Sequence, residues 1–188
     1  DQLRVDAHHF IQRLRQQKLN VIIASGDNEA NVANCAQQLG ISNYRSRLLP
    51  EQKLHWVREL QAQGHAVLMI GDGINDAPVL AGADASIAVG DGVDFARRAA
   101  DAVLTHSSLS TIVDALQLAH QTRRVVVQNL YWAMLYNLLA LPSAMSGALT
   151  PWEAALGMSL SSLLVTVNSL RLQAKRPGIR WPLLLQNS

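Results

Sequence analysis

The sequence holds a single cysteine, Cys35. That excludes an internal disulfide framework and any cluster of cysteine metal ligands within the chain. Glycine (11) and proline (6) are too scarce for a collagen-like or low-complexity chain. Charged residues are only 16% against 49% hydrophobic, a balance that excludes disorder by composition. Sixteen Lys and Arg against 14 Asp and Glu leave a net charge of +2. That surplus is too mild for a nucleic-acid binder, so no nucleic-acid partner is expected. The chain starts at Asp1 with neither a basic n-region nor an apolar h-region. No signal peptide is visible, and, starting without a methionine, the chain reads as a piece cut from a longer protein. At roughly 150 residues per domain, 188 residues allow slightly more than one domain.

Charge is also missing locally. Residues 1–124 carry 12 basic and 13 acidic side chains, whereas residues 125–188 carry four basic ones and a single acid, Glu153. No formal charge occurs from Val125 to Trp152 or from Ala154 to Leu170. Apolar runs of about 20 residues are long enough to cross a hydrocarbon core as helices. Two such neighbours need more core than about 120 soluble residues can supply. Arg123 and Arg124 precede the first run; Arg171, Lys175, Arg176 and Arg180 follow the second; the turn Gly147–Glu153 has no Lys or Arg. The positive-inside rule then predicts a two-helix hairpin, spans at about 125–149 and 152–170, with both ends cytoplasmic. Trp132, Trp152 and Trp181 fall near the span ends, where interfacial aromatics are expected.

The first part alternates helix and strand. Ala7, Phe10, Ile11 and Leu14 share one helical face within Asp6–Lys18. Val21–Ala24 is a short buried strand. Val32, Cys35, Ala36 and Leu39 repeat the helical spacing, with Gly40 as the stop. Pro50 opens a helix to about Ala62, and Ala66–Ile70 is a second strand. A short helix from Asp76, a strand at Ala85–Val89, a short helix at Val93–Arg98 and a strand at Ala102–Leu104 follow. Leu109, Ile112, Val113 and Leu116 open a last helix that continues into the apolar run. This order predicts an α/β fold with a parallel sheet covered on both faces, its ligand site at the carboxyl ends of the strands. The histidines, including His8 and His9, read as surface residues, and Cys35 as core.

Three strand ends carry polar residues. Ser25-Gly26-Asp27 offers a hydroxyl and backbone N–H groups to a phosphate, or is an ordinary turn and cap. Pro50-Glu51-Gln52-Lys53 puts a lysine in the first turn of a helix, where the dipole disfavours a cation unless an anion sits nearby. Gly71-Asp72-Gly73-Ile74-Asn75-Asp76-Ala77-Pro78 is the strongest signal. Its glycines permit a sharp turn and close approach. Its clustered carboxylates suit Mg²⁺, which takes oxygen ligands and accompanies phosphate.

Gly71–Pro78 resembles the GDGxNDxP hinge motif of P-type ATPases. The order Ser-Gly-Asp, Pro-x-x-Lys, GDGxND is similar to that of the haloacid-dehalogenase phosphotransfer fold. The resemblance runs from Asp1-Gln2-Leu3-Arg4, similar to the stretch re-entering the phosphorylation domain, to Arg171. Tyr136-Asn137 and Met158-Ser159-Leu160-Ser161-Ser162 resemble the Tyr-Asn and Met-x-x-Ser-Ser motifs of copper(I)-transporting P1B ATPases. The acidic residue of the zinc and cadmium branch is absent from Ala154 to Leu170, as is the cobalt-type His-Glu-Gly-Gly-Thr pattern.

The resemblance implies residues 1–115 as the C-terminal part of a phosphorylation domain, 116–180 as the last two transmembrane helices and 181–188 as a cytoplasmic tail. It implies that Asp72 ligates Mg²⁺, that Asn75 and Asp76 complete its surroundings, that Lys53 contacts the phosphoryl group, and that Ser25, Gly26 and Asp27 form the second phosphate motif. Ser25 replaces the commoner threonine but keeps the hydroxyl. Tyr136, Asn137, Met158 and Ser162 are implied along the path of Cu(I). A thioether suits that soft ion, and Met158 and Ser162, four apart, share a helical face. The alternative is that the serines only pack helix on helix. Pro142 is expected to kink its helix.

The implied parent is an ATP-driven Cu(I) exporter of the bacterial inner membrane, working through an aspartyl-phosphate. Its expected partners are the bilayer, the remaining helices, a nucleotide-binding domain and a copper chaperone. No Asp-Lys-Thr-Gly and no Cys-Pro-Cys occur here, so the isolated piece is expected to be inactive. The competing readings are a pump for another soft metal, a membrane-tethered phosphatase of the same superfamily and a non-catalytic piece that binds partner helices.

Overall fold

A computed structural model describes residues 3–71, 76–89, 99–104 and 108–174. The chain divides into two compact units, residues 1–114 and 115–188.

In the first unit, helix α1 (Ala7–Gln16) buries Ala7, Phe10, Ile11 and Leu14, the face its spacing predicts. Strand β1 (Ile23–Ala24) is shorter than the expected Val21–Ala24. Its partner β2 (Tyr44–Arg45) is only two residues long, and the two pair in parallel, Ile23 with Tyr44 and Ala24 with Arg45. Between them lies α2 (Glu29–Leu39). Asn28 caps it by accepting from the Asn31 N–H at 2.9 Å. Gly40 ends it at φ 65, a left-handed conformation that glycine adopts without a Cβ penalty. Ile41 N–H then bonds back to the Ala36 carbonyl at 2.8 Å. Arg15 donates to the Gly40 carbonyl, placing a cation at the negative end of α2.

Helix α3 (Pro50–Ala62) starts and ends where expected. Pro50 sits in the first turn, where a missing N–H costs nothing, and the Gln52 side chain accepts from Leu49 N–H at 2.9 Å. A second parallel sheet has the order β3 (Leu68–Gly71), β4 (Ala85–Val89), β5 (Ala102–Leu104). Leu68 pairs with Ala85, Gly71 with Ala88, and Ala88 with Val103. Helix α4 (Ala77–Gly82) crosses between β3 and β4 and buries Val79 and Leu80 completely or nearly so. Buried Ser86 on the central strand is satisfied by Asp101, whose carboxylate accepts from its N–H at 2.8 Å and its hydroxyl at 2.9 Å. The described residues thus hold two parallel sheets in place of the single one expected. The expected helix Val93–Arg98 lies outside the described residues.

Helix α5 (Ser110–Met145) runs unbroken from the first unit's core, where Ile112 and Val113 are buried, into the apolar stretch. The Asp6 carboxylate accepts from Leu109 N–H at 2.6 Å, satisfying a donor at the helix start. Asp114 pairs with Arg13 at 2.7 Å. His8 and His9 are exposed, and Cys35 is half-buried rather than core.

In the second unit, Pro142 lies inside α5, and the helix continues past it to Met145. Gly147, at φ 73, begins the turn to α6 (Pro151–Ala174). At the start of α6 the Glu153 carboxylate accepts from the Thr150 N–H at 2.9 Å and from its hydroxyl at 2.6 Å. Among the described residues one helical stretch is long and apolar enough to cross a membrane, Pro151–Leu172, with mean hydropathy 1.3. The first expected span does not reach that apolarity. Gln128, Asn129 and Asn137 dilute its hydrophobic side chains.

Candidate phosphotransfer site and membrane residues

The backbone brings the three polar strand ends into one connected arrangement. Ser25-Gly26-Asp27 leaves β1, and the loop after β2 is bonded directly to it. Leu48 N–H donates to the Ser25 carbonyl at 3.0 Å, and Arg47 N–H to the Asp27 carbonyl at 2.8 Å. That loop becomes the first turn of α3, where Lys53 N–H bonds the Leu49 carbonyl at 3.0 Å. Lys53 Nζ reaches across to Asp76 Oδ1 at 2.6 Å, just after β3. Both side chains are largely buried, 11% and 13% exposed. The dipole objection to a cation at this helix end is therefore answered by a carboxylate.

Gly71 closes the arrangement. A Cβ there would lie 3.1 Å from Asp76 Oδ2, tighter than ordinary side-chain contacts. The bare backbone leaves that second oxygen room. Gly26 is similar: a Cβ would meet the Leu48 carbonyl at 3.3 Å. Its N–H has no hydrogen-bond partner among the described residues. Ser25 Oγ accepts from Asp27 N–H at 3.2 Å, so its own proton is available to an incoming acceptor. The hydroxyl and N–H after β1 and the cation of α3, paired with a carboxylate after β3, are the kinds of donor a phosphoryl group requires.

Asp72 and Asn75 lie outside the described residues, so the proposed Mg²⁺ environment is represented by Asp76. Its donor set is oxygen only, which fits a hard divalent ion, and its second oxygen has no hydrogen-bond partner among the described residues. No group of three or more His, Cys, Asp or Glu side chains that could hold a metal occurs among the described residues.

Two residues that sequence reasoning did not single out hold Asp27. Its Oδ1 accepts from Asn28 N–H at 2.7 Å and its Oδ2 from the Asn31 amide at 2.9 Å. The Asn31 amide first, and the Asn28 N–H next, keep the carboxyl below the ordinary carboxylate range. The run Asp-Asn-x-x-Asn, with a cap residue and its third neighbour, was the available signal. A depressed carboxylate contributes stability above its ordinary pKa and loses it as pH falls through the depressed value. Asn31→Ala should therefore raise the Asp27 titration midpoint toward the ordinary value. Carbon-13 NMR of labelled aspartate in the full-length protein reads this directly, and an unmoved midpoint would dismiss the amide as its cause.

The membrane-type residues are sorted differently. The half-buried stripe of α5 is Asn129, Ala133, Tyr136 and Ala140; that of α6 is Ala154, Gly157, Ser161, Val165 and Asn168. The helices run antiparallel. Asn129 Nδ2 donates to Ser169 Oγ at 3.0 Å, and Asn168 Nδ2 to Asn129 Oδ1 at 2.8 Å. Tyr136 belongs to this contact: its hydroxyl lies 3.4 Å from the Ala154 carbonyl, over Gly157. Asn137, Met158 and Ser162 are exposed outside the stripe. Each follows its stripe by about one 100° step. In an antiparallel pair those flanks fall on the same side, so the three share one face of the hairpin while Tyr136 packs inside it.

Comparison with known proteins follows the same division. Residues 1–84 and 53–116 each match haloacid dehalogenase-like hydrolases. Over 94% of its length the chain is 44% identical to a probable cation-transporting ATPase of Haemophilus influenzae, covering 24% of that protein. Over 92% it is 41% identical to the copper-exporting P-type ATPase of Bacillus subtilis, covering 22%. A zinc-transporting PIB-type ATPase in its E2.Pi state superposes with a TM-score of 0.85 at 38% identity, over 92% of this chain and 28% of that one. The first unit has the haloacid dehalogenase-like fold. The chain is similar to cation-transporting and copper-exporting P-type ATPases over more than nine-tenths of its own length, and spans about a quarter of the length of these curated relatives.

Proposed function

We propose that this chain is the C-terminal part of the phosphorylation domain and the last two membrane helices of an ATP-driven metal pump, and that its cargo is Cu(I). The observation that carries the pump reading is the Lys53–Asp76 ion pair beside Gly71. It joins the lysine of one motif to the carboxylate of another at a strand end. Lys53 neutralises charge on a phosphoryl group, Ser25 and Gly26 donate to its oxygens, and Asp27 anchors the loop that presents them. Asp72, Asn75 and Asp76 hold Mg²⁺, which supplies charge stabilisation when bound. ATP is bound and the phosphorylated aspartate carried by other parts of the protein. The alternative of a tethered phosphatase is disfavoured by relatives that are cation-transporting ATPases over more than nine-tenths of this chain.

Copper as cargo rests on Met158. Asn137, Met158 and Ser162 share a face of the hairpin, and Ala154–Leu170 offers no carboxylate for Zn²⁺. That face would meet the other helices and their thiolates. Cytoplasmic ends, a plasma-membrane setting and delivery by a copper chaperone follow from the same reading. The test is ATPase activity of the full-length protein with each ion. Stimulation by Cu(I) and not Zn²⁺ is expected; the reverse would overturn copper and leave the pump.

A further inference from the structure

The hairpin has a second face, opposite Asn137, Met158 and Ser162. On α5, Gln128 and Trp132 precede the contact stripe in rotation; on α6, Leu164, Val167 and Arg171 do the same. Together with Asn168 they line a groove of about 350 Å³. None of the three metal-type residues lines it.

The groove is polar at one end and apolar along the rest. Arg171, Asn168 and Gln128 form its head. Val167 and Leu164 lie one and two turns deeper along α6, and Trp132 one turn deeper along α5. The head is held in place: Asn168 bonds Asn129 at 2.8 Å and reaches Gln128 at 3.5 Å. Arg171 Nη1 has only a long contact, 3.5 Å to Asn168 Oδ1, which leaves most of its five donors unused among the described residues. Arg124 extends the positive charge one turn beyond Gln128 on the same flank. No lining residue is acidic. Among the described residues no carboxylate lines the groove to hold the ammonium of a zwitterionic headgroup.

We propose that this groove binds an anionic phospholipid of the cytoplasmic leaflet. The phosphate sits on Arg171 and Gln128, and an acyl chain lies along Val167, Leu164 and Trp132. A guanidinium fork matches phosphate oxygens, and basic pockets between helices on the cytoplasmic side suit such headgroups. The proposal rests on the membrane reading, in which Arg171 marks the cytoplasmic end, but not on the identity of the transported ion.

The test uses the full-length protein in phosphatidylcholine vesicles doped with a photo-crosslinkable phosphatidylglycerol analogue, with attachment sites mapped by mass spectrometry. Crosslinks are expected on peptides containing Trp132 and Leu164–Val167. Unlabelled phosphatidylglycerol should compete; phosphatidylcholine and glycerol phosphate should not. Arg171→Gln should cut crosslinking about fivefold, the scale of one basic residue at an anionic surface. Arg123→Gln, on the other flank, should leave it unchanged. Competition by glycerol phosphate would make this a soluble-phosphate site. Equal competition by phosphatidylcholine, indifference to Arg171→Gln, or coverage of the groove by another helix would each overturn the proposal. Reporters after Pro151 and after Lys175 separate the two readings. Both on one side would sink the hairpin itself, whereas opposite sides without lipid crosslinks would sink only the lipid site.

Discussion

Lys53→Met in the full-length protein should reduce phosphoenzyme formation from ATP by at least about 100-fold, the scale of losing one preorganised electrostatic contact. The same change should destabilise the first unit. Lys53 and Asp76 are nearly buried and 2.6 Å apart, and removing one partner of a buried pair costs about 3–5 kcal/mol by stranding the other charge. The two effects separate in a cycle. Asp76→Asn removes the other charge while keeping the shape. In the double variant no charge is stranded, so much of the stability should return. Phosphorylation should not return, because the cation is still missing. Thermal unfolding and acid-stable radiolabel from ATP measure the two quantities side by side. Wild-type labelling in Lys53→Met would remove Lys53 from the phosphoryl site. Recovery of labelling in the double variant would reduce the pair to a structural tie.

Both halves of that pair were legible as motifs, but their contact was not. Sequence places Lys53 at a helix start and Asp76 after a strand; only the fold of α3 against α4 brings Nζ to Oδ1. Local signals with a strong physical cause are legible in the sequence. α3 begins at Pro50 because proline fits a helix's first turn, and α1 buries the four residues its period selects. β2 was missed because Tyr44 and Arg45 are both exposed and no apolar run marks them. Their pairing with β1 is made by backbone groups, which carry no sequence signature. β1 itself shrinks to Ile23–Ala24 because its partner offers only two residues, although Val21 and Ile22 are apolar. β3 shifts to Leu68–Gly71 because its ladder is set by Ala85–Ala88. In the hairpin, motif spacing grouped Tyr136 with Asn137, Met158 and Ser162. Helical phase divides them, since neighbours in sequence stand 100° apart.

That division sharpens what replacing Met158 should do. Met158→Leu is expected to lower Cu(I) stimulation of the full-length ATPase at least about tenfold, the worth of roughly 1.4 kcal/mol at one ligand. It should leave expression and Mg²⁺-dependent phosphorylation from inorganic phosphate close to wild type. The swap conserves volume and apolar character, and such exchanges usually cost under about 1.5 kcal/mol. Here the packing cost within the hairpin is smaller still, because Met158 is 65% exposed and outside the stripe that meets α5. What is lost is the thioether, a donor suited to soft Cu(I). Gly157→Ala, one residue earlier, supplies the contrasting case. Its new Cβ would fall 2.8 Å from the Tyr136 hydroxyl and 3.2 Å from the ring, so Tyr136 must move and its approach to Ala154 is disturbed. That variant should loosen the helix pair and lower yield without removing any donor atom. A thioether role predicts a metal-specific defect at 158 and a general one at 157. Equal, ion-independent defects at both positions would assign Met158 to packing against other helices. A normal copper response in Met158→Leu would remove the thioether from the path, and the phosphotransfer site, which shares no residue with it, would stand.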